Sequence, residues 1–433
     1  MKHARSRKIH VVTMGCPKNL VDSERLMAQL RQNGAELLPT LDGAEIAVIN
    51  TCGFIDPAKE ESIEALLSTA RWKSGGTLKK VYALGCLSER YGSELAREMP
   101  EIDGFFGSGS PEELLRTLGM QYREELLGER CLTSPSHYAY LKISEGCDHP
   151  CSFCAIPLMR GKHLSRSLED ILQESRYLAA SGVKELIVIG QDTTYYGVDR
   201  YGTRRLAELL TRLGEIEGLH WIRLLYAYPA KFPLDVLDVL ANNPRMCKYI
   251  DLPIQHISDS VLRSMRRGIS GSGLRDLLDT IRERVPGVAL RTTLIVGYPG
   301  EGREEFDELL EFVRVSKFER LGVFSYSREE GTHAHPLGDP VPAGEKERRR
   351  SLVMELQREI SASRNAGLIH TRRRVIIDRE EDGLSVGRTE HDAPEIDNEV
   401  FVRANEELGP GTFCDVDIVE AYEYDVLGEH IVP

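Results

Sequence analysis

Cys147-Asp148-His149-Pro150-Cys151-Ser152-Phe153-Cys154 places three cysteines within eight residues, in the spacing Cys-x3-Cys-x2-Cys. Thiolates are the usual protein ligands of iron–sulfur clusters, and spacing this close lets one loop wrap a cluster. A cluster closed by protein alone takes four cysteines. One held by three keeps an iron open to a ligand that is not protein. A zinc knuckle is the competing reading, but structural zinc usually takes four ligands, often as two separated pairs. His149 is available as a fourth donor but is cramped inside the same loop.

Around this loop the pattern is one of alternating strands and helices. Tyr138–Ser144 reads as the strand that delivers it. Strands follow at Glu185–Gly190, Trp221–Tyr226, Lys248–Leu252, Ala289–Gly297 and Arg320–Ser325. Helices between and after them are expected at Leu168–Ser181, Arg204–Ile216, Pro233–Asn242, Asp259–Arg267, Ser272–Val285 and Glu304–Val315. Six βα units predict a partial barrel, with active residues at the carboxyl ends of its strands. Glu345–Ala366 is a long charged helix that closes it.

Upstream, Lys8–Met14, Glu45–Asn50 and Lys80–Leu84 read as strands, followed by helices Asp22–Asn33, Pro57–Trp72 and Glu89–Glu98. Cys16, Cys52 and Cys86 each stand just after one of these strands. In open α/β sheets the loops at the carboxyl ends of strands line one crevice. A lone free cysteine is ordinarily a small buried hydrophobe. Three at equivalent places in successive units predict a second cluster with three protein ligands. Cys131, Cys247 and Cys414 are isolated and read as structural.

From about Thr371 short strands (Arg374–Asp378, Leu384–Thr389, Glu399–Arg403, Phe413–Ala421) alternate with Gly, Pro and acidic turns, predicting a small β-barrel. The expected fold class is thus α/β. An open parallel sheet domain spans 8–120, a partial (β/α)6 TIM-like barrel 133–366, and a small antiparallel β-barrel 369–433.

The 433 residues are 41% hydrophobic and 28% charged, ordinary for a soluble protein. No apolar run has the length of a membrane span. The basic stretch Met1–Lys8 lacks a following apolar core, which argues against secretion. Nine cysteines in no small-domain disulfide pattern suit a reducing cytoplasm. Residues 370–433 hold six basic against seventeen acidic residues, a net −11 out of −13 for the whole chain. Such a segment repels phosphate backbones and favours basic partners.

Gly190-Gln191-Asp192 ends the second barrel strand, and Leu294-Ile295-Val296-Gly297-Tyr298-Pro299-Gly300-Glu301 ends a later one. With the central loop and its Phe153, these resemble the signature of radical S-adenosylmethionine (SAM) enzymes. In those enzymes the open iron chelates SAM; the resemblance implies that Gly190, Gln191 and Asp192 contact its methionyl part and that the stretch at Gly297 packs near its adenine. The whole chain is similar to the methylthiotransferase family. The carriers are Met14-Gly15-Cys16-Pro17-Lys18-Asn19, Asn50-Thr51-Cys52-Gly53-Phe54, Gly85-Cys86, Cys147 to Pro157, Ile189 to Asp192, and Pro253-Ile254-Gln255-His256. The resemblance implies a C-terminal TRAM barrel, SAM, and two 4Fe-4S clusters. The cluster of Cys147, Cys151 and Cys154 would generate the 5′-deoxyadenosyl radical, and that of Cys16, Cys52 and Cys86 would carry the sulfur to be methylated.

Cys154-Ala155-Ile156-Pro157 and the stretch at Gln255 look like the branch that modifies the β-carbon of an aspartate in small-subunit ribosomal protein S-twelve. The acidic C-terminal module agrees, since a module gripping RNA should be basic. It is expected beside the barrel mouth, steering a basic protein toward the cluster. The resemblance further implies an electron donor such as flavodoxin or ferredoxin, and neither a membrane nor a direct nucleic-acid substrate. Two alternatives remain. One is a methylthiotransferase for isopentenyl or threonylcarbamoyl adenosine in transfer RNA. The other is a non-enzymatic iron–sulfur protein, an electron carrier or a ribosome-assembly factor; a carrier needs fully ligated clusters, and an assembly factor would have no use for SAM.

Overall fold

The computed structural model describes residues 7–76, 78–126, 128–405 and 407–432. Most of the basic N-terminal stretch, and Glu406 of the acidic module, lie outside them.

The first sheet contains β1 (Lys8–Thr13), β2 (Glu36–Leu37), β3 (Ile46–Thr51), β4 (Lys80–Gly85) and β5 (Gly104–Phe106). Their order is β2-β1-β3-β4-β5 and every pairing is parallel. In sheets wound this way the ligand crevice lies outside the carboxyl ends of the first and third strands, where the winding reverses. Helices α1 (Pro17–Gln32), α2 (Asp56–Arg71), α3 (Cys86–Glu98) and α4 (Pro111–Thr117) cover it. The short β2 and β5 have too few residues to show a sequence period. Two helices start earlier than their apolar pattern suggests. Pro17 occupies the first turn of α1, where a missing N–H costs nothing, so Cys16 is its N-cap and Asp22 and Ser23 are interior. Gly85 caps α3, which therefore begins at Cys86 rather than Glu89.

The second sheet is built on β6 (Tyr138–Lys142). A short antiparallel hairpin follows, β7 (Ser144–Glu145) with β8 (Leu164–Ser165), enclosing α5 (Ile156–Arg160). Next come β9 (Glu185–Ile189), β10 (Trp221–Leu224), β11 (Met246–Asp251), β12 (Ala289–Val296) and β13 (Arg320–Ser325). The order β13-β12-β11-β10-β9-β6 is parallel throughout and does not close. The six βα units are as expected, and the helix Ala343–Ala366 packs beside the last strand.

The C-terminal strands β14 (Arg372–Glu381), β15 (Leu384–Thr389), β16 (Val400–Arg403), β17 (Phe413–Ala421) and β18 (Val426–His430) form a closed barrel. β18 carries no clear alternation and escapes the sequence reading. It closes the barrel by pairing parallel to β16 and antiparallel to β17.

The barrel's position corrects one expectation. It does not flank the mouth of the half-barrel but plugs the opposite end. Its partners are residues where the core strands begin. His137 meets Asp378 at 2.7 Å, Tyr138 donates to Glu395 at 3.0 Å, and Tyr249 donates to Asp397 at 2.6 Å. Arg320 pairs with Asp392. Ile376, Ala393 and Phe413 fill the floor against Tyr138, Trp221 and Tyr249. Part of the acidic excess is therefore spent on docking to basic and hydroxyl groups of the core.

At the centre of this joint Glu185 receives Arg223 at 2.8 Å and Arg388 at 2.9 Å, all three side chains being almost wholly buried. Removing one partner of a buried ion pair leaves an uncompensated charge, at a cost of about 3–5 kcal/mol. Arg388→Ala is expected to lower the thermal midpoint and to expose the C-terminal barrel to limited proteolysis. Unchanged melting and cleavage would show that this triad does not hold the barrel.

Candidate active site

The hairpin β7–β8 pins both ends of the central loop at the carboxyl end of β6. Gly146 has φ +73°, and a Cβ there would stand 2.0 Å from the Lys162 carbonyl oxygen, so no other residue fits. Cys147 N–H donates to the Gly161 carbonyl at 3.1 Å. Ser152 is the buried anchor. Its N–H donates to the Met265 carbonyl at 3.0 Å, and its hydroxyl lies 2.8 Å from the Ser264 carbonyl and 2.9 Å from the Tyr298 hydroxyl. Phe153 packs toward Val261, Met265, Tyr298 and Tyr326. His149 is stacked on Tyr228, with ring centroids 3.6 Å apart and planes 8° from parallel, and donates to Asp192 at 2.6 Å.

Cys147, Cys151 and Cys154 are free thiols. Burial, reinforced by their mutual repulsion, pushes Cys147 and Cys154 up to about 12. Arg267 Nη1 lies 3.3 Å from Cys151 Sγ, and the Tyr228 hydroxyl 3.7 Å. Buried thiols crowded together and faced by a guanidinium suit thiolates bound to a cationic metal core. Among the described residues no three His, Cys, Asp or Glu side chains close on a point as one bound ion requires.

The N-terminal cysteines converge because glycines let their loops interlock. Gly15 has φ +83°, and a Cβ on it would lie 2.7 Å from Cys52 Cβ. A Cβ on Gly53 would lie 2.8 Å from the Leu87 backbone and 3.0 Å from that of Cys86. Asn19 ties the loops together, donating to the Met14 and Thr51 carbonyls at 2.9 and 3.1 Å. Asn50 donates to the Asn19 carbonyl at 2.9 Å, and the Ser62 hydroxyl accepts the Cys52 N–H at 2.9 Å. Burial pushes Cys86 up to about 11 and raises Cys52, with the neighbouring thiols adding to both. This donor set also fits a cluster.

The sequence reading missed what joins the sites. Arg160, six residues past Cys154, ends α5 and reaches into the other domain. Its Nε lies 3.2 Å from Cys86 Sγ, its Nη1 is 2.6 Å from Asp22 and 3.2 Å from Glu145, and its Nη2 donates to Asn19. Lys142 pairs with the same two carboxylates. Arg267 was likewise missed. Neither arginine stands in a periodic or spaced pattern. Lys18 lies in the quoted N-terminal motif but drew no separate reading. Burial lowers its ammonium to about 8.

Of the SAM-contact candidates, Gly190 and Gln191 sit at the mouth beside β9. A Cβ on Gly190 would lie 2.8 Å from the Ser144 hydroxyl. Gln191 Nε2 donates to Glu145 at 2.5 Å, leaving its buried Oε1 without a partner among the described residues. Asp192 serves the loop itself, accepting from His149 and from the Thr194 N–H at 2.8 Å. Gly297 has φ +74° and a Cβ there would meet the Lys346 side chain at 2.4 Å. Its N–H donates to Glu301 at 2.9 Å.

Comparison with known proteins agrees with this layout. The Radical SAM superfamily matches residues 141–313, the uncharacterized protein family UPF0004 residues 8–107, and the TRAM domain residues 370–431. Among solved structures, the radical SAM methyltransferase TsrM of Kitasatospora setae aligns over 76% of this chain and 77% of its own, with TM-score 0.55 and 15% identity. The cobalamin-dependent radical SAM enzyme OxsB aligns over 81% and 56%, with TM-score 0.54 and 11% identity. These likenesses speak for the fold alone. Curated relatives are far closer. Ribosomal protein uS12 methylthiotransferase RimO of Cytophaga hutchinsonii is 52% identical, over 98% of this chain and 97% of its own length. Those of Flavobacterium johnsoniae (99% and 99%) and Chloroherpeton thalassium (98% and 99%) are 52% and 50% identical. With identity of this degree along its whole length, the chain belongs to the ribosomal protein uS12 methylthiotransferase family of radical SAM enzymes.

Proposed function

We propose that this protein replaces a hydrogen on the β-carbon of an aspartate in ribosomal protein uS12 with a methylthio group. The observation that carries the reading is the pair of three-thiol sites, one at the carboxyl ends of each parallel sheet, joined by Arg160. Cys147, Cys151 and Cys154 would hold one 4Fe-4S cluster and Cys16, Cys52 and Cys86 a second, on domains spanning 133–366 and 8–120. When bound, these clusters and SAM supply the radical and the sulfur. Gly190, Gln191, Asp192, Gly297 and Phe153 are assigned to SAM binding. Gln191 offers a free buried carbonyl, which suits the ammonium of an amino acid. The guanidinium groups of Arg267 and Arg160 offset the charge of the thiolates they touch. Ser152 and the His149–Tyr228 stack hold the loop rigid.

The C-terminal barrel, residues 369–433, leaves Glu380, Glu381, Asp382 and Glu407 exposed, a surface suited to a basic protein rather than to phosphate. A flavodoxin or ferredoxin would serve as electron donor. Among the described residues no helix is long and apolar enough to cross a membrane. The test is anaerobic incubation of the reconstituted protein with SAM, reductant and either uS12 or isopentenyl-adenosine transfer RNA, followed by mass spectrometry. A methylthio group on the uS12 aspartate is expected. Modification of the transfer RNA alone would overturn the substrate assignment.

A further inference from the structure

Lys18 is a buried cation at the barrel mouth that, among the described residues, has no carboxylate partner. Its side chain is buried, with 8% of the residue exposed, and its Nζ lies 3.0 Å above the centroid of the Tyr226 ring. Among the described residues it makes no ion pair or hydrogen bond. Each nearby carboxylate is already engaged. Asp251 is held by Arg291 at 2.9 Å and by the Tyr226 N–H at 3.0 Å. Glu145 is held by Lys142 at 2.6 Å, by Arg160 at 3.2 Å and by Gln191 at 2.5 Å. Asp22 is shared by Lys142 and Arg160. The other acidic group facing Lys18 is the Cys16 thiol, which the reading above assigns to a cluster. A buried ammonium without a carboxylate of its own is costly to keep unless an anion arrives to meet it.

Two further features mark the place. Tyr226, just past the end of β10, holds a positive φ of +58°, an uncommon conformation for an aromatic residue and one that collects at ligand sites. Lys18 also lies in the first turn of the sixteen-residue α1, whose N-terminus has no side-chain cap. That end of a helix favours negative charge.

We propose that Lys18 binds the side-chain carboxylate of the substrate aspartate, an inference that rests on the uS12 reading above. The reacting β-carbon is bonded directly to that carboxylate carbon. One ion pair would therefore fix the distance of the C–H group from both cysteine sites. The same ammonium gives a neutral adenine nothing comparable, so Lys18 is a specificity determinant as well as a positioning residue.

The test compares binding of two uS12 loop peptides, one with the target aspartate and one with asparagine in its place, to the reconstituted full-length protein. The parent should prefer the aspartate peptide by at least about tenfold, as expected for a charge pair out of water. In Lys18→Met the preference should fall to near parity with iron content unchanged, whereas Lys18→Arg should retain it. A parent with no preference overturns the site however the variants fold. A Lys18→Met protein that keeps both its iron and its preference overturns it as well. A parent that prefers the aspartate peptide but never modifies uS12 would sink the proposed function while leaving the carboxylate site standing.

Discussion

Cys147→Ala, Cys151→Ala and Cys154→Ala should each abolish SAM cleavage and remove about half of the iron, taking two equal clusters with three cysteines apiece. The expectation follows from how the loop is built. Each thiol is fixed by backbone that cannot shift to compensate. Gly146 is locked against the Lys162 carbonyl, Ser152 is tied to Met265 and Tyr298, and the Cys154 N–H donates to the Cys151 carbonyl at 3.2 Å. The nearest candidate for a fourth donor, His149, is not free, because it is stacked on Tyr228 and bonded to Asp192. The measurement is 5′-deoxyadenosine by chromatography beside iron by absorption. Undiminished 5′-deoxyadenosine in any one variant would overturn the assignment.

Cys16→Ala, Cys52→Ala and Cys86→Ala should separate the two chemistries. Methylthio transfer should cease, with iron again reduced by about half, while SAM cleavage persists. The separation is expected because the N-terminal thiols sit on their own sheet, with their own ties through Asn19, Asn50 and Ser62. Cys86→Ala is the most informative, since Arg160 loses its sulfur partner but keeps Asp22 and Glu145. Product formation at the parent rate in any of the three would remove this site from the mechanism.

Much of this was legible in the chain, and for physical reasons. Buried parallel strands such as Glu185–Ile189 read as apolar runs bounded by turns, so the six core strands stand out. Cysteines directly after strands can be placed because parallel sheets collect those loops at one edge. What was hidden depends on distance in space rather than along the chain. Arg160 meets Cys86 across 74 residues, Arg267 meets Cys151 across 116, and Lys18 meets Tyr226 only through the packing of one domain on another. Asp192 shows a role the chain order hides. Its place after a strand suggests a ligand contact, and its carboxylate also braces the cysteine loop by accepting from His149 and Thr194. The acidic C-terminal segment was misplaced because net charge says nothing of which carboxylates face inward.

The seam between the two sheets bears on timing. Arg90 and Lys59 both grip the buried Glu329, Arg160 and Lys142 share Asp22, and Arg25 holds Glu174. Swinging the domains apart would separate all of these at once, so a hinge is a poor clock for this protein. On the function proposed above, the SAM-dependent steps and the substrate loop would instead take turns between thiol sites whose separation these pairs hold.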